Sequence, residues 1–388
     1  MTAEVAGARR AWFVAVLAVA LSLGWQALAV HYNYGGNWTS LFCTGASLIQ
    51  PPGLAGENLY RFPNFGYDGQ YYHYVAHDPL FRHGLARYID APRLRYRRIL
   101  LPGLAYLAAG GQPAGIDISF IAVNLLFLLA GVYWLSRYVA RHGYSVLWGL
   151  LYLAVPAVVV SLDRLTVDMA LTALCMGFAL YVEEDRPGKL YAVLMLAPLA
   201  RETGMFLTAA CTISRFVEHR VRDGLIFATS ALAALAWYSF VQIQTGPYDT
   251  GSWFTRIPLA GLIDRMVHPP VYHFAPIVAW TATALDELAL AGVLVGFLLA
   301  LWLLRVRWIR PMQIAVALIA ISGLNLGKPF WEEAYAFARV FSPMIVLIAL
   351  YGCTHRSWAA LLPLAMTFPR VGMQVGGQVI RVVHGIFR

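Results

Sequence analysis

The chain has 388 residues, of which 60% are hydrophobic and only 13% charged, and its mean hydropathy is +0.61. That is far more apolar than a soluble domain needs and excludes a soluble enzyme or binding module of ordinary composition. The formal charge of +9 is carried almost wholly by arginine, lysine occurring only at Lys189 and Lys328, and it is spread among loops with no soluble module to present it, so nucleic acid is not an expected partner.

Apolar runs near the roughly 20 residues that cross a bilayer recur along most of the chain. They predict an all-α polytopic membrane protein, a single integral domain over residues 1–388 with about ten or eleven spans. The first run begins at Ala11, after Arg9 and Arg10. Ala27-Leu28-Ala29 could close a cleaved secretory signal, but a run of about 20 residues holding Trp12 and Trp25 favours a retained anchor. Placing Arg9 and Arg10 in the cytoplasm makes residues 31–115 a large first extracytoplasmic loop with interfacial helices.

The next span, Ile116 to Ser136, returns to Arg137 and Arg141 on the inside. Spans over residues 144–162 and 165–182 form a hairpin around "SLDRLTVD" and end at the polar turn "EEDRPGK". Residues 188–217 read as one kinked helix or as two short helices meeting at Arg201-Glu202, a hairpin reaching part-way with its irregular tip buried in protein. A span over 224–243 leads to a second large extracytoplasmic loop, 244–287, rich in proline and aromatics. Leu288 to Leu304 returns to "RVRWIR", a cytoplasmic signal. Residues 311–326 cross outward, "GKPFWEEAYAFAR" lies at the outer face, and 340–353 cross back. The stretch from Ser357, broken by Pro363, Pro369 and several glycines, receives no placement. Cys43, Cys175, Cys211 and Cys353 show no CxxC spacing and suggest neither a disulfide framework nor a cysteine metal site.

This topology gathers Asp68, Asp163, Arg164, Asp168, Arg201, Glu202, Glu332, Glu333 and Arg339 at the outer boundary from segments far apart in sequence. Charges near hydrocarbon are costly and face partners or a wet cavity, so one outward-facing polar site is expected. Arg164 and Asp168 have the i, i+4 spacing of an ordinary helical ion pair. Arg82, Arg87, Arg93, Arg95, Arg97 and Arg98 cluster in the first loop against a single acid, Asp90. A lipid-carrier phosphate would explain such a cluster through charge-assisted bidentate bonds, and so would lipid headgroups. His73 and His77 have HxxxH spacing, but Tyr74, Val75 and Ala76 between them lack the glutamate of HExxH, and ordinary interfacial histidines are the expected reading. No metal is assigned to the site and no cofactor is firmly implied; a divalent metal has only this weak spacing in its favour.

The stretch "YDGQYYHYVA" resembles the first-loop signature of the GT-C superfamily, integral membrane glycosyltransferases using polyprenyl-phosphate sugars, in which Asp-Gly precedes an aromatic and a short helix. It looks most similar to bacterial members related to the PIG-type mannosyltransferases, whose D-G-x-x-Y-x-x-x-A pattern is met by Asp68, Gly69, Tyr72 and Ala76. "LARETG" and "AFARVFSP" are also similar to recurrent stretches of such proteins, while "RRILLPGLAYL" stands where the PIG type has its proline-rich "FPLYP" element. The resemblance implies a GT-C-like fold in a bacterial plasma membrane, with the active site on the extracytoplasmic face. It implies an inverting transfer of sugar from a polyprenyl-phosphate donor to a glycan, lipid or protein acceptor, with Asp68 as general base. The leaving phosphate would meet Arg95, Arg97, Arg98 or Arg201, Tyr71 and Tyr72 would shape the sugar pocket, and Glu202 and Glu332 would orient the arginines. Asp163, Arg164 and Arg339 complete the expected substrate-binding set, with membrane lipids around it. A transporter or flippase for a lipid-linked sugar is the rival reading, although such proteins often show repeated halves, and no internal repeat is visible here.

Overall fold

The computed structural model describes residues 3–54, 56–246, 253–306 and 308–387. Helix α1 (Ala3–Tyr34) runs the length of a helical bundle and stops where Gly35 and Gly36 take positive φ. The loop beyond it carries a parallel pair of two-residue strands, β1 (Thr44–Gly45) and β2 (Arg61–Phe62), and three short helices, α2 (Asp68–His77), α3 (Pro92–Arg97) and α4 (Leu100–Ala108). Helix α5 (Pro113–Arg141) returns antiparallel to α1, so that Trp12 near the start of one meets Tyr133 near the end of the other with ring centroids 5.5 Å apart.

A 3-10 run, Val146–Ala154, then meets α6 (Pro156–Arg164) at 64°. Pro156 lacks the N–H that would carry the helical ladder through this point. Leu165 takes a left-handed φ of 42° and ends α6, and α7 (Asp168–Glu183) starts afresh. Helices α8 (Pro187–Ala200) and α9 (Met205–Val217) are the two short helices that one reading of the sequence expects, joined by a turn at Glu202–Gly204. A Cβ on Gly204 would stand 2.2 Å from the Ala197 backbone, so only glycine closes this tip. Helices α10 (Val221–Thr229) and α11 (Leu232–Thr245) make one apolar stretch, and α12 (Ala260–Val267) lies in the second loop. Helices α13 (Pro276–Leu303), α14 (Arg310–Ser322), α15 (Ala334–His355) and α16 (Leu362–Ile386) complete the bundle.

The protein is thus an all-α integral membrane protein. Gly7–Tyr34, Pro113–Arg141, Val221–Thr245, Pro276–Leu303 and Ala334–His355 are long and apolar enough to cross a membrane, and the bent Val146–Arg164 pair makes a sixth such stretch. The expected count of about ten or eleven spans also took in α7, α8, α9 and α14. These have 16, 14, 13 and 13 residues, below the roughly 20 that cross a bilayer. Helices α7 and α15 are apolar on nearly every face and buried on nearly every face, which places them at the centre. Helices α5 and α13 leave Ile118, Leu126, Ile277, Trp280, Leu298 and Leu301 exposed, as a lipid-facing surface requires.

Two boundaries differ from those expected. The second loop ends at residue 275 rather than 287, because α13 begins at Pro276 and carries Asp286 and Glu287 inside it. Those acids look like loop residues in sequence, but Asp286 is paired with Arg370 at 3.0 Å and Glu287 with Arg265 at 2.8 Å, which makes them tolerable in an apolar helix. The segment from Ser357, which received no placement from the sequence, contains α16, one helix of 25 residues packed on α13, α15 and α1. All four cysteines are free.

The bundle has two chemically distinct ends. At one, Arg137 pairs with Glu184 at 2.6 Å and His142 with Glu183 at 3.0 Å, and Tyr138 on α5 bonds Thr354 at the end of α15 at 2.9 Å. At the other lie Asp68, Asp168, Arg201, Glu202 and Arg339, brought together from α2, the start of α7, the α8–α9 turn and the start of α15.

Helix α2 reaches that end by docking Gly69 against the last carbonyl of α6. A Cβ there would stand 2.1 Å from the Arg164 carbonyl oxygen and 2.9 Å from that of Phe42. Gly69→Ala is expected to cost the roughly 1–3 kcal/mol of an overpacked contact or more. Gly188→Ala, where nothing lies within 4 Å, should change stability by less than about 0.5 kcal/mol. Thermal unfolding of the two variants in detergent measures this, and equal effects would contradict the docking.

Candidate functional site

Asp68 opens α2, and its carboxylate is held from two sides. Oδ1 accepts from Arg95 Nη2 of α3 at 2.8 Å, and Oδ2 meets Arg339 Nη2 of α15 at 2.8 Å. Arg95 is shared with Asp90, through Nε to Oδ1 at 3.0 Å and Nη2 to Oδ2 at 2.7 Å. Arg339 is shared with Asp168, its Nη1 lying 3.5 Å from Oδ2, and the other oxygen of Asp168 accepts from Arg201 Nη1. Arg98 donates through Nε to both oxygens of Glu202 at 3.1 and 3.2 Å, and through Nη1 to the Tyr72 hydroxyl at 2.8 Å. Tyr72 also receives Arg95 Nη1 at 3.3 Å, which joins the two halves into one network.

The arginines of this network are its buried members and most of its acids reach the open. The side chains of Arg95, Arg98, Arg201 and Arg339 retain 2%, 5%, 5% and 9% exposure, against 18% for Asp68 and 25% for Glu202. Tyr71 lies under the Arg95 guanidinium at 5.1 Å, and Tyr67 under that of Arg339 at 5.2 Å.

Burial works against the charge of Asp68, but the flanking Arg95 and Arg339 guanidiniums outweigh it and hold its carboxyl well below the usual carboxylate range. Burial likewise pulls on Arg95 and Arg98, and their acidic partners, chiefly Asp68 and Glu202, more than compensate, so both guanidiniums stay charged. In low dielectric each charge needs its counter-charge, and the network supplies Asp68, Asp90, Asp168 and Glu202 against Arg95, Arg98, Arg201 and Arg339.

The remaining expected site residues lie elsewhere. Arg97 turns its guanidinium onto the Tyr238 ring at 5.3 Å. Asp163 and Arg164 pair with each other at 2.9 Å in a neighbouring cluster, where Arg164 Nη1 donates to Cys43 Sγ at 2.8 Å and Gln378 Nε2 to Asp163 Oδ1 at 2.6 Å. The expected Arg164–Asp168 helical pair does not form, because Leu165 breaks the helix between them. Glu332 is exposed, and its backbone carbonyl accepts from Arg265 Nε at 3.2 Å. Asp78 is a loop cap, accepting the backbone N–H groups of Arg82, His83 and Leu85 at 2.6, 3.0 and 3.1 Å. The next face of α2 carries His73 and His77, where Glu57 and Asp117 join them and offer a set of metal donors.

The site residues expected from the sequence did not include Asp90 or Tyr67. Asp90 is the lone acid within the arginine run, and that isolation was the available signal. Tyr67, next to Asp68, had none beyond adjacency.

The carboxyl of Asp68 is depressed in the folded state, so it contributes stability that is complete above the unfolded value of about 3.9 and is lost as pH falls below it. The stability difference between the parent protein and Asp68→Asn is therefore expected to be constant from neutral pH to about pH 5 and to shrink below about pH 4. Denaturation midpoints across this range measure it; a difference growing on acidification would contradict the pairing.

Comparison with family models, with curated proteins and with solved structures yields no match for this chain, so the reading of its site rests on the site's own geometry.

Proposed function

We propose that this protein is a glycosyltransferase of the GT-C type, an enzyme of a bacterial cell envelope that moves a sugar from a polyprenyl-phosphate donor to an acceptor on the extracytoplasmic face. The observation that carries this reading is the convergence of buried arginines on one part-exposed carboxylate at the end of a membrane bundle. Among the described residues, Arg339 Nε is buried without a hydrogen-bond partner, a donor left open to a ligand oxygen.

In an inverting transfer the acceptor oxygen attacks the anomeric carbon, the bond from that carbon to the phosphate oxygen breaks, and the acceptor proton passes to a base. Asp68 is that base. While two guanidiniums hold it, its proton affinity is too low for the task. A donor phosphate drawing Arg339 or Arg95 toward itself removes one of the charges that depress Asp68 and raises its affinity for the proton as the donor settles. The same arginines then face the charge that develops on the leaving phosphate. Tyr71 and Tyr72, packed against Arg95 and Arg98, border the sugar, and Glu202 fixes Arg98.

The rival reading, a flippase for a lipid-linked sugar, draws on the helix broken at Arg201-Glu202. One variant separates the two. Asp68→Asn keeps the shape and removes the base, so transfer from a pool of labelled polyprenyl-phosphate sugars should fall by roughly 10²- to 10⁴-fold. Donor lipid binding to the same folded protein should change only a few-fold. Near-normal transfer would remove Asp68 from the mechanism, and lipid translocation in proteoliposomes without cleavage by the parent protein would favour the flippase.

A further inference from the structure

Below the turn that carries Asp68, α2 presents two imidazoles from one face, as the i, i+4 spacing of His73 and His77 requires. Their Nε2 atoms stand 3.0 Å apart. His73 Nε2 also lies 2.7 Å from Asp117 Oδ1, in the second turn of α5, and 3.9 Å from Glu57 Oε2. His77 Nε2 lies 3.5 Å from Glu57 Oε1. One donor atom from each of the four residues falls within 4.8 Å of all the others.

Hydrogen bonding does not account for this arrangement. His73 Nε2 carries either one proton or one lone pair, yet it faces a carboxylate oxygen and a second imidazole nitrogen at hydrogen-bond distance. At most one of those contacts receives a full hydrogen bond, and among the described residues Glu57 Oε2 is buried with no hydrogen-bond partner. A cation at the centre resolves the conflict by taking a lone pair from every member. With metal bonds of about 2.0–2.1 Å, the corners of a tetrahedral site are about 3.3 Å apart, inside the range from 2.7 to 4.8 Å over which these donors lie.

The surroundings are built for such an ion. His73 is fully buried and its ring stacks on Phe42 with centroids 4.0 Å apart, which fixes its direction. Glu57 and Asp117 line an open cleft of about 530 Å³ together with Asn37, Thr39 and Asn58, through which a hydrated ion reaches the donors. Two imidazoles and two carboxylates suit a borderline divalent ion better than calcium or magnesium, which prefer all-oxygen shells.

We propose that Glu57, His73, His77 and Asp117 bind one divalent transition-metal ion, Zn²⁺ being the closest fit to a four-donor set. The ion ties α2 to α5 and to the loop bearing Glu57, and so fixes the helix whose other face holds Asp68 and Tyr72 against the arginines. It takes no part in proton transfer, and its existence does not depend on the sugar-transfer reading.

The test uses the purified full-length protein, stripped with a chelator and dialysed against Zn²⁺ or Co²⁺. One equivalent per chain should bind, Co²⁺ should give the visible absorption of a tetrahedral site, and Zn²⁺ should raise the thermal midpoint. Glu57→Gln and His77→Gln should each weaken Zn²⁺ binding by about 10-fold or more and remove the stabilisation. His83→Gln, on an exposed residue outside the cluster, should keep both. Failure of the parent protein to bind an equivalent of either metal overturns the proposal without any variant. So does stoichiometric binding that survives both cluster substitutions, or that His83→Gln abolishes equally.

Discussion

The carboxylate of Asp68, bridging Arg95 of α3 and Arg339 of α15, is the contact on which the polar end of this protein depends. It ties a short loop helix to a central, largely buried helix of the bundle, and it is flanked on both sides by charges that cannot stand alone. A buried guanidinium stripped of its acid is strongly destabilising, so Arg95 needs Asp90 as well as Asp68, and Arg339 needs Asp168. The network is matched acid for base, so an anion drawn to the Arg95 or Arg339 nitrogens that hold Asp68 competes with that carboxylate. On the proposed sugar-transfer reading, that competition is what would raise the proton affinity of a carboxylate that Arg95 and Arg339 otherwise hold low.

Helix length explains why so many charges meet there. A helix of 16 residues rises about 24 Å, short of the roughly 30 Å hydrocarbon core. Helix α7, which is of that length, and the shorter α8 and α9 each have one end at the network. Their end residues Asp168, Arg201 and Glu202 consequently sit where unpaired charge would be costly; Arg201 answers Asp168, and Glu202 is answered by Arg98 at the end of α3. The close turn at Gly204 and the close contact at Gly69 are the backbone conditions for that meeting.

What was legible in the sequence follows from the same physics. Apolar runs and basic breaks revealed the membrane class and the two ends, since both are set by local composition. The interruption at Arg201-Glu202 was visible because charges inside an apolar run have few explanations. Pairings were less legible. Arg164 and Asp168 have helical spacing, and only the left-handed Leu165, which carries no sequence signal, keeps them from pairing. Asp286 and Glu287 marked a loop, but α13 carries both, Asp286 buried against Arg370 and the exposed Glu287 paired with Arg265. His73 and His77 were recognisable as a pair, but Glu57 and Asp117 reach them only through the fold. Glu332 was singled out for its charge, yet burial decides which acids face the arginines and Glu332 is exposed.

The claim that Asp68 and Arg339 act as one unit is tested most directly by a double-mutant cycle. Stability is measured for the parent, Asp68→Asn, Arg339→Met and the double variant in the same detergent. Residues in one ion-pair network show interaction energies of about 0.5–3 kcal/mol, and this partly shielded pair is expected in the upper half of that range, with the double variant less destabilised than the sum of the singles. Additivity within about 0.5 kcal/mol would mean that the two side chains are neighbours without coupling, and the central contact of the site would be lost with it.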